Sequence, residues 1–588
     1  MSRFVRALFV LFYVGCMSTN AGAFTGNLSN AIFVDAVTGS DGNPGTMAQP
    51  KATIPGALSI ATSGKNVYVS KGAYYEAVQM VSGVSLYGQY DQASNWTPDP
   101  ANTTIIKGNT NPVSFSNVSG ETHFEGFLVD ATNAAATQSS YAVRIDSSPG
   151  PIFIRYNTLM AGAGGPGLVG TNGVAGALVG TGANGINGFG GSCDNAGFAP
   201  GGVGGTSTCS GAGGNGGNGN YGQSNGTSGG NGAGGALGGS GGAYGSTGSP
   251  GGTGSPGANG TNGANAVASA SAIGSVAAGF YMPVTAPSGG SGTNGNSGGG
   301  GGGGGQYGSF VIDGTGNGGG GGGAGGCGAT QGGTSGEGGG GSFALFVSAS
   351  VVTVDANYLV VRQAGTGGLG GNGATGSTGG SMGAGATVCT GEVGGGGNGG
   401  GGGKGGNSGV GAGGPGGPGV AIFGTSGVTI GTNRSSLPGM APAGSGGIGG
   451  GSGLVGVVRH GYPNDFADPG PATLAIADTS ILTAWTGINF AIVPVSLGPI
   501  TNMYVSVHYQ TVDGTAIAGT NYTATSGDLS FAPWATVQTI RVPIFGVVSQ
   551  PKTFSVQLSS PMNAGFTTSS DTVTIDYFGD IIFRNAFD

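Results

Sequence analysis

Short apolar runs, each closed by Gly, Asn, Asp or Pro, recur through residues 24–160. They include Ile32-Phe33-Val34, Val67-Tyr68-Val69, Val84-Ser85-Leu86-Tyr87 and Ile105-Ile106, then Phe127-Leu128-Val129, Val143-Arg144-Ile145 and Ile152-Phe153-Ile154. Runs this brief predict strands, not helices. One helical stretch, residues 54–61, comes early. A single helix followed by short recurrent strands predicts a solenoid with an N-terminal cap. A different pattern fills residues 471–578, where Val505, Val507 and Tyr509 share one face. Ile540, Val542 and Ile544, then Phe554, Val556 and Leu558, then Val573, Ile575 and Tyr577 do the same. This alternation predicts antiparallel strands, about seven of them, in a β-sandwich. Residues 453–470 read as a linker between the two.

Residues 161–452 are dominated by glycine, often at a period of three, as in Gly248, Gly251, Gly254, Gly257, Gly260 and Gly263, or Gly367, Gly370, Gly373, Gly376 and Gly379. Three residues per turn is the repeat of polyproline II, so glycine at every third position gives a helix one bare edge. Two readings follow: an ordered bundle of such helices, or flexible loops. Collagen is disfavoured, because the register slips and glycines 298–305 are unbroken. Apolar units interrupt the tracts, at about 341–363 and 420–431. Phe343-Ala344-Leu345-Phe346-Val347, Val351-Val352-Thr353-Val354 and Asn357-Tyr358-Leu359-Val360 nearly repeat the unit that ends at Met160. The tracts therefore read as long insertions at corners of one continuing solenoid, pinned at both ends.

Composition narrows the function classes. Glycine accounts for 143 of 588 residues, only 6% are charged, and the formal net charge is -8. No basic stripe exists to displace counterions from nucleic acid. Residues 1–23 carry Arg3 and Arg6, a short apolar run and Ala21-Gly22-Ala23, the three parts of a secretory signal. No later segment is apolar over the length a transmembrane helix needs. Beyond Cys16, four cysteines remain: Cys193, Cys209, Cys327 and Cys389. An even number in an exported chain predicts two disulfides, with Cys193 and Cys209 closing a short loop and Cys327 left to Cys389. Zinc is disfavoured, since there is no Cys-x-x-Cys and only three histidines occur.

Ile32-Phe33-Val34-Asp35, Gly39-Ser40-Asp41-Gly42-Asn43-Pro44-Gly45-Thr46, Gln49-Pro50 and Thr53-Ile54 resemble the N-terminal entry of right-handed parallel β-helix proteins. The resemblance is to the pectin-lyase-like superfamily and covers roughly residues 31–130. It implies a fold and no particular function, because lyases, hydrolases and adhesins share it. Candidates for polysaccharide chemistry are Asp35, Asp41, Glu76, Glu121, His123, Glu125, Asp130, Arg144, Asp146 and Arg155. They show no recurring spacing, and Asp41-Gly42 and Asp146-Ser147 read as turns. The glycine tracts are similar in composition to the polyglycine repeats of some bacterial surface proteins.

At the C-terminal end, Tyr509-Gln510-Thr511-Val512-Asp513-Gly514-Thr515-Ala516, Ala518-Gly519-Thr520-Asn521-Tyr522, Ser526-Gly527-Asp528-Leu529-Ser530-Phe531 and Ile540-Arg541-Val542-Pro543-Ile544 resemble a Calx-β domain. The resemblance implies an immunoglobulin-like sandwich with calcium at one end. Residues 482–487 (Leu-Thr-Ala-Trp-Thr-Gly) and 545–551 lack the acidic residues the pattern calls for, and Asn521 replaces an aspartate. Asp513 is the one clear remnant of a calcium site, which is too few carboxylates for Ca²⁺. Residues 579–588 form a C-terminal tail resembling short tails of secreted proteobacterial proteins. The expected whole is all-β: a parallel β-helix with glycine-rich polyproline-II-like insertions, then the sandwich. The expected role is structural or adhesive, secreted or at the cell surface, with disulfides, no cofactor, and glycans or surface proteins as partners. The alternative is a polysaccharide lyase or hydrolase on the β-helix.

Overall fold

The structure is a computed structural model. It describes residues 27–176, 185–195, 197–221, 223–244, 248–306, 314–463, 465–466, 468, 470–482, 489–499, 501, 504–532, 535–545 and 548–576. The signal-like segment and the C-terminal tail lie outside the described residues. No described helix is long and apolar enough to cross a membrane.

The early strands fall into three parallel sheets that the chain visits in rotation. The first sheet runs from Ala31–Val34 through Asn66–Ser70, Ser85–Asp91, Thr122–Glu125, Ile152–Arg155 and Val352–Asp355 to Val428–Ile430. The second runs from Gly72–Tyr74 through Thr104–Lys107, Phe127–Asp130, Thr158–Met160 and Tyr358–Val360 to Arg434–Ser436. The third contains Val78–Gln79, Val113–Ser116, Ser140–Asp146, Ser342–Ser348, Gly419–Gly424 and Val458–Tyr462. Parallel sheets in this order are compatible with a β-helix. One apolar core lies between them, including Val34, Leu86, Phe124, Ile154, Leu345 and Val354. A backbone corner beside this core carries a column of buried asparagines. Asn157 Oδ1 accepts from Phe127 N, Asn357 Oδ1 from Asn157 N, and Asn433 Oδ1 from Asn357 N, each at 3.0 Å. Each amide thereby satisfies a corner N–H that the sheets leave unpaired.

Two boundaries differ from the sequence reading. The helix is Ile54–Leu58, shorter than the expected 54–61, because it need only cover the open end of the core with Ile54, Ala57 and Leu58. Thr53 caps it and Pro55 occupies its first turn. Residues 453–470 are not simply a linker: Val458–Tyr462 pairs parallel with Gly419–Gly424 as the last strand of the third sheet.

All the glycine-rich insertions leave the same corner, after a second-sheet strand and before a third-sheet strand. They replace the turns that join Met160 to Ser342, Val360 to Gly419 and Ser436 to Val458. Rung spacing is handed outward from sheet to tract. Thr158 pairs with Tyr358 in the second sheet. Beyond it, Gly164, Gly167, Gly170, Gly173 and Gly176 donate in parallel to the carbonyls of Gln363, Thr366, Leu369, Asn372 and Thr375. The hydrogen bonds recur at every third residue, which is the repeat of polyproline II. Along these segments each tract is hydrogen-bonded to its neighbours, the arrangement the bundle reading calls for.

Residues 298–305 form the centre of this bundle and are all buried. Gly298, Gly301 and Gly304 donate to Gly323, Gly320 and Asn317; Gly299, Gly302 and Gly305 donate to Ser255, Gly252 and Ser249; Gly300 and Gly303 donate to Gly230 and Thr227. Their carbonyls accept from Gly214 and Gly217, from Gly239 and Gly242, and from Gly400, Gly397 and Gly394. Neighbours therefore press on every side, and a Cβ on Gly300, Gly301 or Gly302 would run into the carbonyl oxygen of Asn215, Gly397 or Ser240. This explains the unbroken glycines: an interior helix needs all of its edges bare, and a peripheral one needs fewer. On the periphery, asparagine side chains take up outward N–H groups. Lys404 N donates to Asn259 Oδ1 at 2.8 Å and Asn407 N to Asn262 Oδ1 at 2.9 Å.

Two disulfides close the bundle, with a pairing that corrects the expected one. Cys193 joins Cys389 and Cys209 joins Cys327, with Cα separations of 5.6 and 5.5 Å. Sequence proximity misleads here because distant tracts lie side by side, of two insertions for Cys193–Cys389 and of one insertion for Cys209–Cys327. The loops span 196 and 118 residues, the second nested within the first.

The C-terminal sandwich has sheets of four and five strands. The first has the order Val537–Ile544, Asn489–Gly498, Thr473–Ile476, Gly565–Phe566. The second has Thr479–Leu482, Ser570–Asp576, Lys552–Met562, Val505–Asp513, Ser526–Phe531. Its own core includes Val493, Val507, Tyr522, Ile540, Phe554 and Val573.

Two outcomes follow. Gly301→Val should cost about 3 kcal/mol, the upper range for overpacking, because the obstruction is backbone. Gly391→Ala and Gly439→Ala, where an added Cβ meets nothing within 4 Å, should change the melting temperature little; calorimetry separates the cases. Non-reducing peptide mapping should recover only Cys193–Cys389 and Cys209–Cys327. Loss of the longer loop should cost about 5 kcal/mol by loop-closure entropy.

Candidate functional site

The acidic and basic candidates do not converge on one site. Asp35 Oδ2 accepts from Thr38 N at 2.7 Å, a turn contact. Asp41 accepts from Ala52 N and Thr53 N, both at 3.0 Å, and holds the entry to the first helix. Glu76 accepts from Ile54 N at 2.8 Å; burial pushes its carboxyl up and that N–H offsets part of the shift. Asp130 bridges Lys107 at 2.9 Å and Arg362 at 3.2 Å on the second sheet. Asp146 Oδ2 accepts from Ser147 Oγ, and the Arg155 guanidinium lies 4.6 Å from the centre of the Phe153 ring.

Glu121, His123 and Glu125 do meet, on the outer face of the first sheet. His123 Nδ1 is 2.9 Å from Glu125 and Nε2 is 3.2 Å from Glu121. The imidazole stacks on Phe153, with centres 4.6 Å apart. The Glu125 hydrogen bond raises its pKa above the ordinary histidine value, against burial, with Glu121 adding to the effect. A glycosidase needs two carboxylates with substrate between them. Here the imidazole fills that space and bonds to both, so no room is left between them for a substrate.

Another constellation was invisible in the sequence, since its members lie far apart in it. Ser435 Oγ is 2.6 Å from His460 Nδ1 and 3.4 Å from Asp468 Oδ2. A hydrolytic triad places the imidazole between hydroxyl and carboxylate. In this cluster the hydroxyl is in the middle, an order different from that of a triad.

One cleft of about 630 Å³ opens beside the third sheet. It forms around the hairpin Ser275–Ala277 and Phe280–Met282, which the sequence reading did not anticipate within the glycine tracts. Tyr141, Tyr281 and Phe280 line it, with Thr110, Thr137, Gln138, Met282 and Glu337 among the others. The hairpin is fixed from beneath. Arg144 Nη1 donates to Gly279 O at 3.3 Å and its guanidinium lies 4.1 Å from the Phe280 ring centre. Tyr281 N donates to Tyr141 Oη at 3.0 Å, and burial pushes the Tyr281 hydroxyl up to about 12.

In the sandwich, Asp513 is used by its own hairpin. Its Oδ1 accepts from Tyr522 Oη at 2.7 Å and from Ala518 N at 2.8 Å, which hold its carboxyl below the usual range. Asn521 Oδ1 accepts from Ile517 N. Among the described residues, no three His, Cys, Asp or Glu side chains converge as a metal-ligand set. The residues present therefore do not fit the oxygen-rich, carboxylate-based shell that Ca²⁺ takes. Asp571 is a separate anomaly. It is 1% exposed, with neither carboxylate oxygen hydrogen-bonded in the geometry. Burial pushes its pKa up to about 6, with repulsion from Asp478 adding to the effect.

Comparison with known proteins places a Calx-beta domain at residues 482–576. Among solved structures, the chain is similar to CBD12 from CALX1.2, at 26% identity over 18% of this chain and 45% of that one, with a TM-score of 0.17. It is also similar to CBD12 of CALX1.1, a calcium binding domain, at 26% identity over 18% and 45%, with a TM-score of 0.16. The apo-form Calx CBD1 domain matches at 24% identity over 18% of this chain and 99% of that one, with a TM-score of 0.15. The chain thus spans under half the length of the first two. No curated protein matches.

Asp571→Asn should stabilise the protein by about 2 kcal/mol at pH 7. A carboxyl with a raised folded pKa favours folding while protonated, and that contribution falls as pH rises from about 4 through about 6. The gain should therefore vanish at pH 3 in melting experiments. For His123 the sign is the same, at a higher pH. Its raised pKa stabilises below the unfolded value of about 6.5 and is lost as pH rises through the folded value. His123→Gln should lower the melting temperature at pH 5.5 and leave it nearly unchanged at pH 9.

Proposed function

We propose that this protein is an exported structural module of the adhesion type, acting at a surface and carrying out no catalysis. The parallel sheets form a right-handed β-helix scaffold, the glycine helices project from one of its corners, and the Calx-beta sandwich serves as a calcium-independent end module. The observation that carries this reading is the bundle itself. Its centre is backbone packed against backbone, at residues 298–305; one disulfide ties the first insertion to the second, and another closes the first upon itself. Such an interior makes a stiff body, and a chain with 6% charged residues gives it a nearly uncharged surface. The commitment of Asp41, Glu76, Asp130 and Asp513 to local folding contacts supports the same reading. Two disulfides favour an oxidising compartment, and the signal-like opening of the chain agrees with that. Glycans and other surface proteins are the partners this surface suits.

Incubation with a polysaccharide panel should release neither reducing ends nor unsaturated products, and turnover lost in Glu125→Gln would overturn the reading in favour of a lyase or hydrolase. Titration of the full-length protein with Ca²⁺ should show no micromolar calorimetric heat, and a chelator should leave the melting temperature unchanged.

A further inference from the structure

We propose that the cleft beside the 275–285 hairpin is a binding site for a short neutral saccharide; this rests on the surface-binding role proposed above and gives it a location. Three observations support it. The cleft, about 630 Å³, falls within the range of small-ligand sites. It is large enough for a disaccharide.

The second observation is its lining. Phe280 and Met282, 42% and 49% exposed, offer apolar surface on the hairpin. Thr110, Thr137 and Thr285 bring hydroxyls, Gln138 an amide and Glu337 a carboxylate. Polyhydroxylated ligands need this combination: a flat apolar contact for the C–H face of a sugar ring, and short donors and acceptors around it. The third observation concerns charge. The residues lining the cleft include no Lys or Arg, and Arg144 beneath the hairpin is engaged by Gly279 O and the Phe280 ring. Its Nε also lies 3.2 Å from the Asn111 amide oxygen in the orientation that satisfies both groups. With that cation engaged and Glu337 on the rim, an anionic sugar is disfavoured and a neutral one favoured.

The walls are also held in place independently of ligand. Gly338 N donates to Val284 O at 2.9 Å, and Gly341 N donates to Ser139 Oγ at 2.8 Å. Tyr281 packs into the aromatic cluster of Tyr141, Phe343 and Phe423. A preformed site loses little entropy on closing around a ligand.

The test uses the full-length disulfide-bonded protein and saturation-transfer NMR with neutral disaccharides of glucose, galactose and N-acetylglucosamine, with a glucuronic acid disaccharide as the anionic control. At least one neutral disaccharide should bind, and the anionic one more weakly. Glu337→Gln and Gln138→Ala, at exposed side chains that leave the walls intact, should each weaken binding by about tenfold. Phe280→Ala, checked for an unchanged melting temperature, should abolish it. Equal binding by the parent and the Glu337→Gln/Gln138→Ala double variant would overturn the site while leaving the surface role standing. Binding of none of the neutral sugars, or tighter binding of the uronic acid or of an extended peptide, would overturn the proposal itself. Release of reducing ends would instead refute the non-catalytic role.

Discussion

The glycine-rich bundle depends on one contact: a backbone N–H reaching a carbonyl across an interface with no Cβ in the way. In an ordinary core, apolar side chains fill the space between elements, and hydrogen bonds stay within helices or sheets. Here the arrangement is inverted. Residues 298–305 have no side chains; each of them donates to a neighbouring helix, and all but Gly304 also accept from another. Ordering glycine carries a large conformational entropy cost. The design offsets it by pinning each tract to β-strands at both ends, so that closure is already achieved when the helices meet.

The two kinds of order are coupled through the sheets. Apolar residues such as Phe124, Ile154 and Val354 fix the distance between successive rungs, and the tracts inherit that spacing where they leave Met160 and Val360. The disulfides act where the sheets no longer reach, on segments far along the insertions. The fold is therefore cooperative along the chain in an unusual way: a side-chain core sets the register and a side-chain-free region extends it.

How much of this could be read from the chain depended on the range of the signal. Short apolar runs gave the strands, because period-two burial is a local pattern; the Asn357-Tyr358-Leu359-Val360 echo of Asn157-Thr158-Leu159-Met160 marked the returning rungs. The Calx-beta segment announced itself through turn residues such as Asp513, Gly514, Gly519 and Tyr522. What escaped was set by spatial proximity between distant residues. Cys193 meets Cys389 because two insertions lie side by side, which no loop-length argument can anticipate. The hairpin around Gly279 is held by Arg144 and Tyr141 from a rung more than a hundred residues earlier. Asn259 likewise carries no local signal of its role, although its side-chain carbonyl serves a neighbouring helix.

The handing-on of rung spacing bears on how such a chain can change over generations. Gly176 donates to Thr375 and Gly185 to Ser381, so the offset between these two tracts shortens by three residues from one contact to the next (375 − 176 against 381 − 185). A gain or loss of one triplet leaves every bare edge facing its neighbour. A step of one also occurs, between the Ala329–Gly406 and Gly333–Gly409 contacts, and there Thr330 and Gln331 lie exposed. Length variation in the insertions is thus read in a frame of three, much as a coding sequence is, and a slip out of frame survives where the odd residue can be expelled to the surface.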